Sequence, residues 1–386
     1  MIRKKLSALA LLFIFVLTLL ATGLLSVQSA EGNGMIALRQ RFLSELAVPG
    51  KTVCVDGVEL QSLAVNGEDY IRLDQLQSAL PWLTMTEEET QCIFHLRDSD
   101  EPVLFSRCTV KQFRNHEAPE HCCIDSDNTC YLPAESFCEK SGLHTMSDEE
   151  ALYISGVVMN GSKLPENASI PVLMYHSFSD DVWGDEELFV SADVFREQMQ
   201  YLLSAGYQPI FFEDLYHLQD YSKPVLITVD DGYLDNYEKL FPVLKELNVK
   251  VTLNLITGNV DTDTYGGFMS SQQIKEMSDS GLVSVQSHTV THAKLDQADE
   301  ETHRYEMSES RKMITKWTGK IPYLLSCPES RSCDLTYQIV PDYYMFMTDY
   351  GYATGLTWPV DVGAFHVNRT SIHRSISLDE FKEMYP

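Results

Sequence analysis

The chain of 386 residues carries 29 Lys and Arg against 56 Asp and Glu, a net charge of −27. Such acidity excludes a phosphate-tracking nucleic-acid surface, which needs clustered basic side chains, and works against attraction to anionic lipid heads. With 44% apolar and 10% aromatic residues, the composition is that of globular protein, long enough for about two cores.

Arg3, Lys4 and Lys5 precede a Leu/Ala/Phe-rich run from Leu6 to about Val27, and no charge recurs before Glu31. A basic flank ahead of an apolar run is the layout of an export signal. A run of about 20 apolar residues is also long enough to stay as a membrane anchor. Ser26 to Ala30 offers small residues for cleavage, with Gln28 an awkward third residue before the cut. Residues 1–30 are read as signal peptide or anchor. The remainder then lies outside the cytoplasm, because the basic flank stays inside.

Nine cysteines in an exported chain favour disulfides over metal thiolates. Seven fall between Cys54 and Cys138, an odd number that leaves one thiol over; Cys327 and Cys333 are spaced to close a small loop. Zinc is the rival reading of Cys122, Cys123, Cys130 and Cys138, with His116 and His121 nearby, but no C-x-x-C pair supports it.

Residues 51–156 alternate strand-like segments with turns. Val53–Leu60 reads as a hairpin turning at Asp56-Gly57. Asn66–Leu80 is echoed by Asp127–Gly142: each has polar turn residues, a short extended segment at Tyr70 or Tyr131, then an amphipathic helical stretch. This patterning resembles the small α+β module called the copper amine oxidase N-terminal-like domain, a resemblance that implies a surface spacer or wall-contact module and no copper. The polar stretch over 157–169 reads as a linker.

From residue 170 the pattern changes. Apolar strands at Ile170–His176, Pro224–Gly232, Val249–Gly258 and Leu282–His288 alternate with helices at Ser191–Gly206, Asn236–Asn248, Ser270–Gly281 and Asp299–Gly319. Wholly apolar strands alternating with helices predict a parallel sheet covered on both faces. Over 170–386 they suit a (β/α) barrel with its chemistry at the strand C-termini.

Polar residues recur where such a barrel would place a site. His176 ends the first strand, Asp230 and Asp231 the second, and His288 and His292 follow the fourth. A His pair four apart, or an Asp-Asp-Gly turn, carries little weight by itself; their convergence at one end of successive strands carries the inference. One carboxylate with two imidazoles can hold a divalent metal and leave positions open for water and substrate. The second carboxylate is then a general base, and a further imidazole can protonate a leaving group.

"TVDDG" (Thr228–Gly232) with "SHTVTH" (Ser287–His292) resembles the first two motifs of the polysaccharide deacetylases, the NodB-homology or carbohydrate esterase family 4 proteins. The resemblance spans residues 170–386. It implies a distorted (β/α)7 barrel, here preceded by the small cysteine-rich α+β domain, that removes acetyl groups from sugar polymers with a zinc-type metal. It makes Asp230 the base and Asp231, His288 and His292 the metal ligands. "PVLMYHS" is similar to the branch that includes biofilm poly-N-acetylglucosamine deacetylases, which makes His176 the general acid, with His373 the alternative. "SIHRSISLDEF" (Ser371–Phe381) resembles the closing strand, so Arg374 is expected to orient Asp230 by an ion pair.

The sequence departs from the family at "LLSCPESRSC" (Leu324–Cys333), where a Tyr-Pro-Tyr-Gly-like loop usually supplies an oxyanion-binding N–H; a Cys327–Cys333 disulfide would pin this loop. Trp358 and Tyr323 are read as core residues ahead of an apolar substrate wall. The expected partner is an acetylated glycan, with no nucleic acid and with anchoring through the N-terminal segment. The alternatives are a silent surface glycan-binding protein, or a deacylase of peptidoglycan or of a non-sugar amide.

Overall fold

Short strands and helices alternate along the whole computed structural model, which describes residues 48–386 apart from 57, 97–100, 127–128, 148–150, 159–167, 263–266, 351–355 and 359–364. The segment 1–30 and most of the linker at 157–169 lie outside the described residues. Among the described residues no helix is long and apolar enough to cross a membrane.

Ten strands form the first sheet: β1 (Val48–Val55), β2 (Val58–Val65), β3 (Glu68–Arg72), β4 (Thr84–Glu87), β5 (Gln91–His95), β6 (Val103–Thr109), β7 (Cys123–Ser126), β8 (Thr129–Pro133), β9 (Leu143–Ser147) and β10 (Ala151–Val158). Their order is β4-β5-β6-β7-β8-β3-β2-β1-β10-β9. The strands of this sheet lie between Val48 and Val158. The sequence echo has a structural meaning. Helix α1 (Leu73–Ala79) follows β3 and α3 (Ala134–Ser141) follows β8 without a loop, α2 (Val110–Arg114) lying between them in the chain. The two repeat strands pair antiparallel, with Ile71 opposite Leu132, and Leu76 and Phe137 enter one core.

The second sheet closes. Strands β12 (Val172–Tyr175), β14 (Pro224–Asp231), β15 (Val251–Leu255), β16 (Val283–Ser287), β17 (Leu324–Ser326), β18 (Phe346–Tyr350) and β20 (Val367–Ser371) form a parallel ring of seven, because β12 pairs with both β14 and β20. Two further short strands, β11 (Ala168–Ile170) and β19 (Leu356–Trp358), pair with each other, and β13 (Gln208–Ile210) pairs with β14 outside the ring. Val225, Leu226, Ile227 and Val229 are fully buried, as a strand covered on both faces requires.

Helices α4 (Ala192–Ser204), α5 (Phe241–Leu247), α6 (Ser271–Asp279), α7 (Glu300–Thr318), α8 (Asp334–Ile339) and α9 (Leu378–Met384) complete this half. Ser191, Ser270 and Asp299 cap α4, α6 and α7 by accepting the amide three residues on, each contributing about 1 kcal/mol. The two sheets belong to one compact unit. Arg311 of α7 reaches the imidazole of His144 and the carbonyl of Thr145 on β9, and the Cys54 thiol donates to the Gly319 carbonyl at 3.3 Å.

The cysteines depart from expectation. None of the nine forms a disulfide. Cys327 is buried in the core, while the Cys333 sulfur lies 3.6 Å from the Thr336 hydroxyl. The 327–333 loop is held instead by Ser330 and Arg331 amides donating to the Cys327 and Pro328 carbonyls, and by an Arg331–Asp296 ion pair at 2.7 Å. The set Cys122, Cys123, Cys130 and Cys138 does not assemble either: Cys123 and Cys130 meet Cys92, and Cys122 bonds to Cys108.

Candidate active site

Asp230 and Asp231 are the last two residues of β14, and successive strand residues point to opposite faces. Asp230 is 2% exposed. Its Oδ1 accepts from Arg369 Nη1 at 2.8 Å and from Asn254 Nδ2 at 2.7 Å, while Oδ2 accepts from the Ser326 hydroxyl at 3.3 Å. Burial opposes the charged form, but the neighbouring charges, Arg369 foremost, hold the carboxyl well below the usual carboxylate range.

Asp231 has φ of 76°, a strained conformation of the kind that collects at functional sites. The next residue, Gly232, has φ of 84°, and a Cβ there would lie 2.6 Å from Leu255 Cδ2. Glycine takes this φ without strain, whereas an added Cβ would be strained there and would displace the tip of the Leu255 side chain.

His288 stands just past β16. Its amide donates to the Leu255 carbonyl, and its Nδ1 donates to the Ser326 carbonyl at 2.8 Å. That bond selects the tautomer whose Nε2 lone pair points into the site. Burial drives the imidazolium form down to about 4, so the ring is neutral at ordinary pH. Nε2 of His288 is 3.5 Å, and Nε2 of His292 3.9 Å, from Asp231 Oδ1. His292, with φ of 60°, is the more exposed of the two rings.

The loop between the histidines is held from below by Glu306 of α7. Its carboxylate, 2% exposed, accepts the Val290 and Thr291 amides at 2.7 and 2.9 Å and the Thr291 hydroxyl at 2.6 Å. Asp231, His288 and His292 thus offer three ligand atoms within 4.8 Å of one another. One carboxylate oxygen with two imidazole lone pairs, one ring locked through its other nitrogen, fits a divalent cation.

His176 follows β12 with its side chain half-buried, close enough for its charge to act on Asp230, and its carbonyl accepts from Asn236 Nδ2. His373 is engaged with the Ser375 hydroxyl at 2.6 Å. Arg374 is exposed in the turn after β20, so the expected Arg374–Asp230 pair is corrected: Arg369, within β20 and 2% exposed, makes it. The closing strand begins at Val367, four residues before the Ser371 of the motif reading, and its arginine lies five residues earlier. "VNRTS" is too polar to read as buried strand, although the alternation of Val367 and Arg369 was a usable signal. Asn254 and Ser326 had no motif to reveal them.

The Cys327 N–H donates to the Thr348 carbonyl and is therefore committed to the sheet. Tyr323 is a core residue bonded to Ser284; the side chain of Trp358 lies outside the described residues.

The barrel is a closed parallel ring of seven strands, with a buried carboxylate and a carboxylate–imidazole group at its C-terminal rim. Residues 218–345 match the family model described as polysaccharide deacetylase. YxkH of Bacillus subtilis, whose name places it among polysaccharide deacetylases, is 33% identical over 175 residues, 44% of this chain and 60% of that protein. The poly-β-1,6-N-acetyl-D-glucosamine N-deacetylase of Escherichia coli K12 is 25% identical over 184 residues, 43% of this chain and 25% of that protein. The alignments thus span under two thirds of either relative. A crystal structure of a polysaccharide deacetylase from Bacillus cereus superposes with a TM-score of 0.54 at 26% identity, covering 78% of this chain and 98% of that one.

Proposed function

We propose that the protein is a metal-dependent deacetylase that removes acetyl groups from an N-acetylglucosamine-containing polysaccharide outside the cell, carried there by its N-terminal segment. In this reading Asp231, His288 and His292 hold a divalent ion, most simply zinc, which supplies Lewis-acid polarisation of the acetyl carbonyl and of a water. Asp230 is the base. Its Oδ1 is occupied by Arg369 and Asn254, so Oδ2, with only long contacts to the Ser326 hydroxyl at 3.3 Å and His288 Nε2 at 4.0 Å, takes the proton of the attacking water. As the C–N bond breaks, His176 gives its proton to the departing amine. Arg369 keeps Asp230 ionised and aimed. The sheet domain is a glycan- or wall-contact module.

The observation that carries this reading is the pairing of a buried, guanidinium-held carboxylate with an adjacent three-donor group on the next residue. The named activity of the E. coli relative favours a poly-N-acetylglucosamine substrate. The test is acetate release from N-acetylglucosamine oligomers by the zinc-loaded protein, with Asp230→Asn alongside. Release by the parent, and a loss of roughly 100-fold or more in the variant with metal retained, is expected. Equal activity of the two forms removes Asp230 as base. A parent that binds metal but releases no acetate directs attention to peptidoglycan or a non-sugar amide.

A further inference from the structure

Three cysteines of the sheet domain meet although the chain separates them. Cys92 is on β5, Cys123 on β7 and Cys130 on β8. Strands β5 and β8 are not neighbours, since β6 and β7 lie between them. The sheet curls over a core shared with Phe94, Phe105 and Phe137, and there the three sulfurs come within 4.8 Å of one another. Cys92 and Cys123 are fully buried, and Cys130 is 7% exposed.

We propose that Cys92, Cys123 and Cys130 are the ligands of a thiophilic divalent cation of the zinc class, at a site separate from the carboxylate–imidazole group of the barrel. Geometry is the first argument. Cys92 Sγ and Cys130 Sγ are 3.7 Å apart, and ligands about 2.3 Å from a tetrahedral ion sit about 3.8 Å from each other. Stoichiometry is the second. One disulfide among three thiols strands the third, whereas one ion engages all of them, and none of the three is in a disulfide.

Charge is the third argument. Three thiolates around a divalent ion leave one net negative charge in an apolar core, whereas a monovalent ion leaves two, at a much higher desolvation cost. The nearest carboxylate in register with Cys130, Asp125, is already held by Arg107 at 2.9 Å, so three sulfurs are the protein's share and the fourth position falls to an exogenous ligand. Binding releases the three thiol protons to solvent. The ion would tie β5 to the neighbouring pair β7 and β8, across the intervening β6.

The test uses the full chain with His288→Ala and His292→Ala, which silence the barrel group, kept reduced with a phosphine, and Cd(II) as the probe. A sulfur-to-cadmium charge-transfer band saturating near one ion per chain is expected, because no thiol belongs to the barrel group. Cys92→Ser and Cys130→Ser should each weaken Cd(II) binding by more than roughly 100-fold, beyond the loss of an outer-sphere partner. Cys54→Ser should leave it unchanged. Circular dichroism checks folding, and Cys130→Ala, at the rim of the group, serves if the Cys92 variant aggregates. Absence of the band, a band indifferent to both variants, or a disulfide between any two of the three in natively isolated protein overturns the proposal.

Discussion

Arg369 donates from Nη1 to Asp230 Oδ1 at 2.8 Å, and both residues are only 2% exposed. Each alone would be an uncompensated buried charge; together they are a pair that engages Oδ1 of Asp230 and leaves Oδ2 free of the guanidinium.

Arg369→Met should therefore do more than slow catalysis. It strands the Asp230 carboxylate, at a cost of about 3–5 kcal/mol in folding stability. Adding Asp230→Asn should recover most of that stability and none of the activity. Denaturant titration of the two single variants and the double variant measures the coupling; additive losses would show that the pair is not a unit.

Glu306 bonds to none of the three donors, yet it grips the loop that carries His292. Glu306→Ala removes acceptors for two amides and a hydroxyl. Zinc affinity at the barrel group should fall roughly 10–100-fold, as for other outer-sphere partners, and zinc titration by calorimetry reads this directly. Unaltered affinity would mean the loop holds its shape through the Thr257–Thr289 and Gly258–Val290 backbone bonds alone.

Gly232→Ala tests the turn after the two aspartates. The added methyl meets Leu255 at 2.6 Å in a conformation with φ of 84°. A loss of about 1–3 kcal/mol is expected, read as a lower Tm, together with loss of acetate release because Asp231 is the preceding residue.

His144 gives a pH prediction. Arg311 can only donate, so the His144 nitrogen it meets must be an unprotonated acceptor. Burial first, then the Arg311 charge, lowers the His144 pKa to about 3 from 6.5. The folded form binds its proton less readily than the unfolded form. This contribution is complete above pH 6.5 and declines as pH falls toward 3, by about 1.4 kcal/mol per unit. Glu213 acts in the opposite direction: burial raises it to about 8, so its contribution is complete below its unfolded value of 4.5 and is lost as pH rises through 8. The comparison must therefore be parent against His144→Gln. In urea unfolding at pH 7.5 and 5.5, the parent should lose more stability than the variant; equal losses would refute the assignment.

Much of this was legible because it was local. The run from Val225 to Val229, the helix starts at Ser191 and Ser270 and the Asp230-Asp231-Gly232 turn announce themselves in consecutive residues, since burial on both faces and helical periodicity constrain nearest neighbours. The repeat of strand and helix was visible too, although the pairing of Ile71 with Leu132 was not. Residues such as Asn254 and Ser326 carry no local signature, because their role exists only once the closed ring brings Asn254 of β15 and Ser326 of β17 to the Asp230 carboxylate.

The chain order alone specifies a parallel α/β barrel, its polar strand ends and the carboxylate–imidazole group on β14 and after β16, because periodicity and motif spacing are properties of short segments. Closure of the ring specifies the rest. It sets β20 beside β12 and β18 and brings the Arg369 guanidinium to Asp230, in place of Arg374 five residues later. It also turns Cys327 into the core, away from Cys333. Curling of the first sheet brings Cys92 to Cys123 and Cys130, a grouping that Cys spacing along the chain does not suggest. Contacts of this kind depend on strand order and on which face each residue takes, and a one-residue change of register reverses the face.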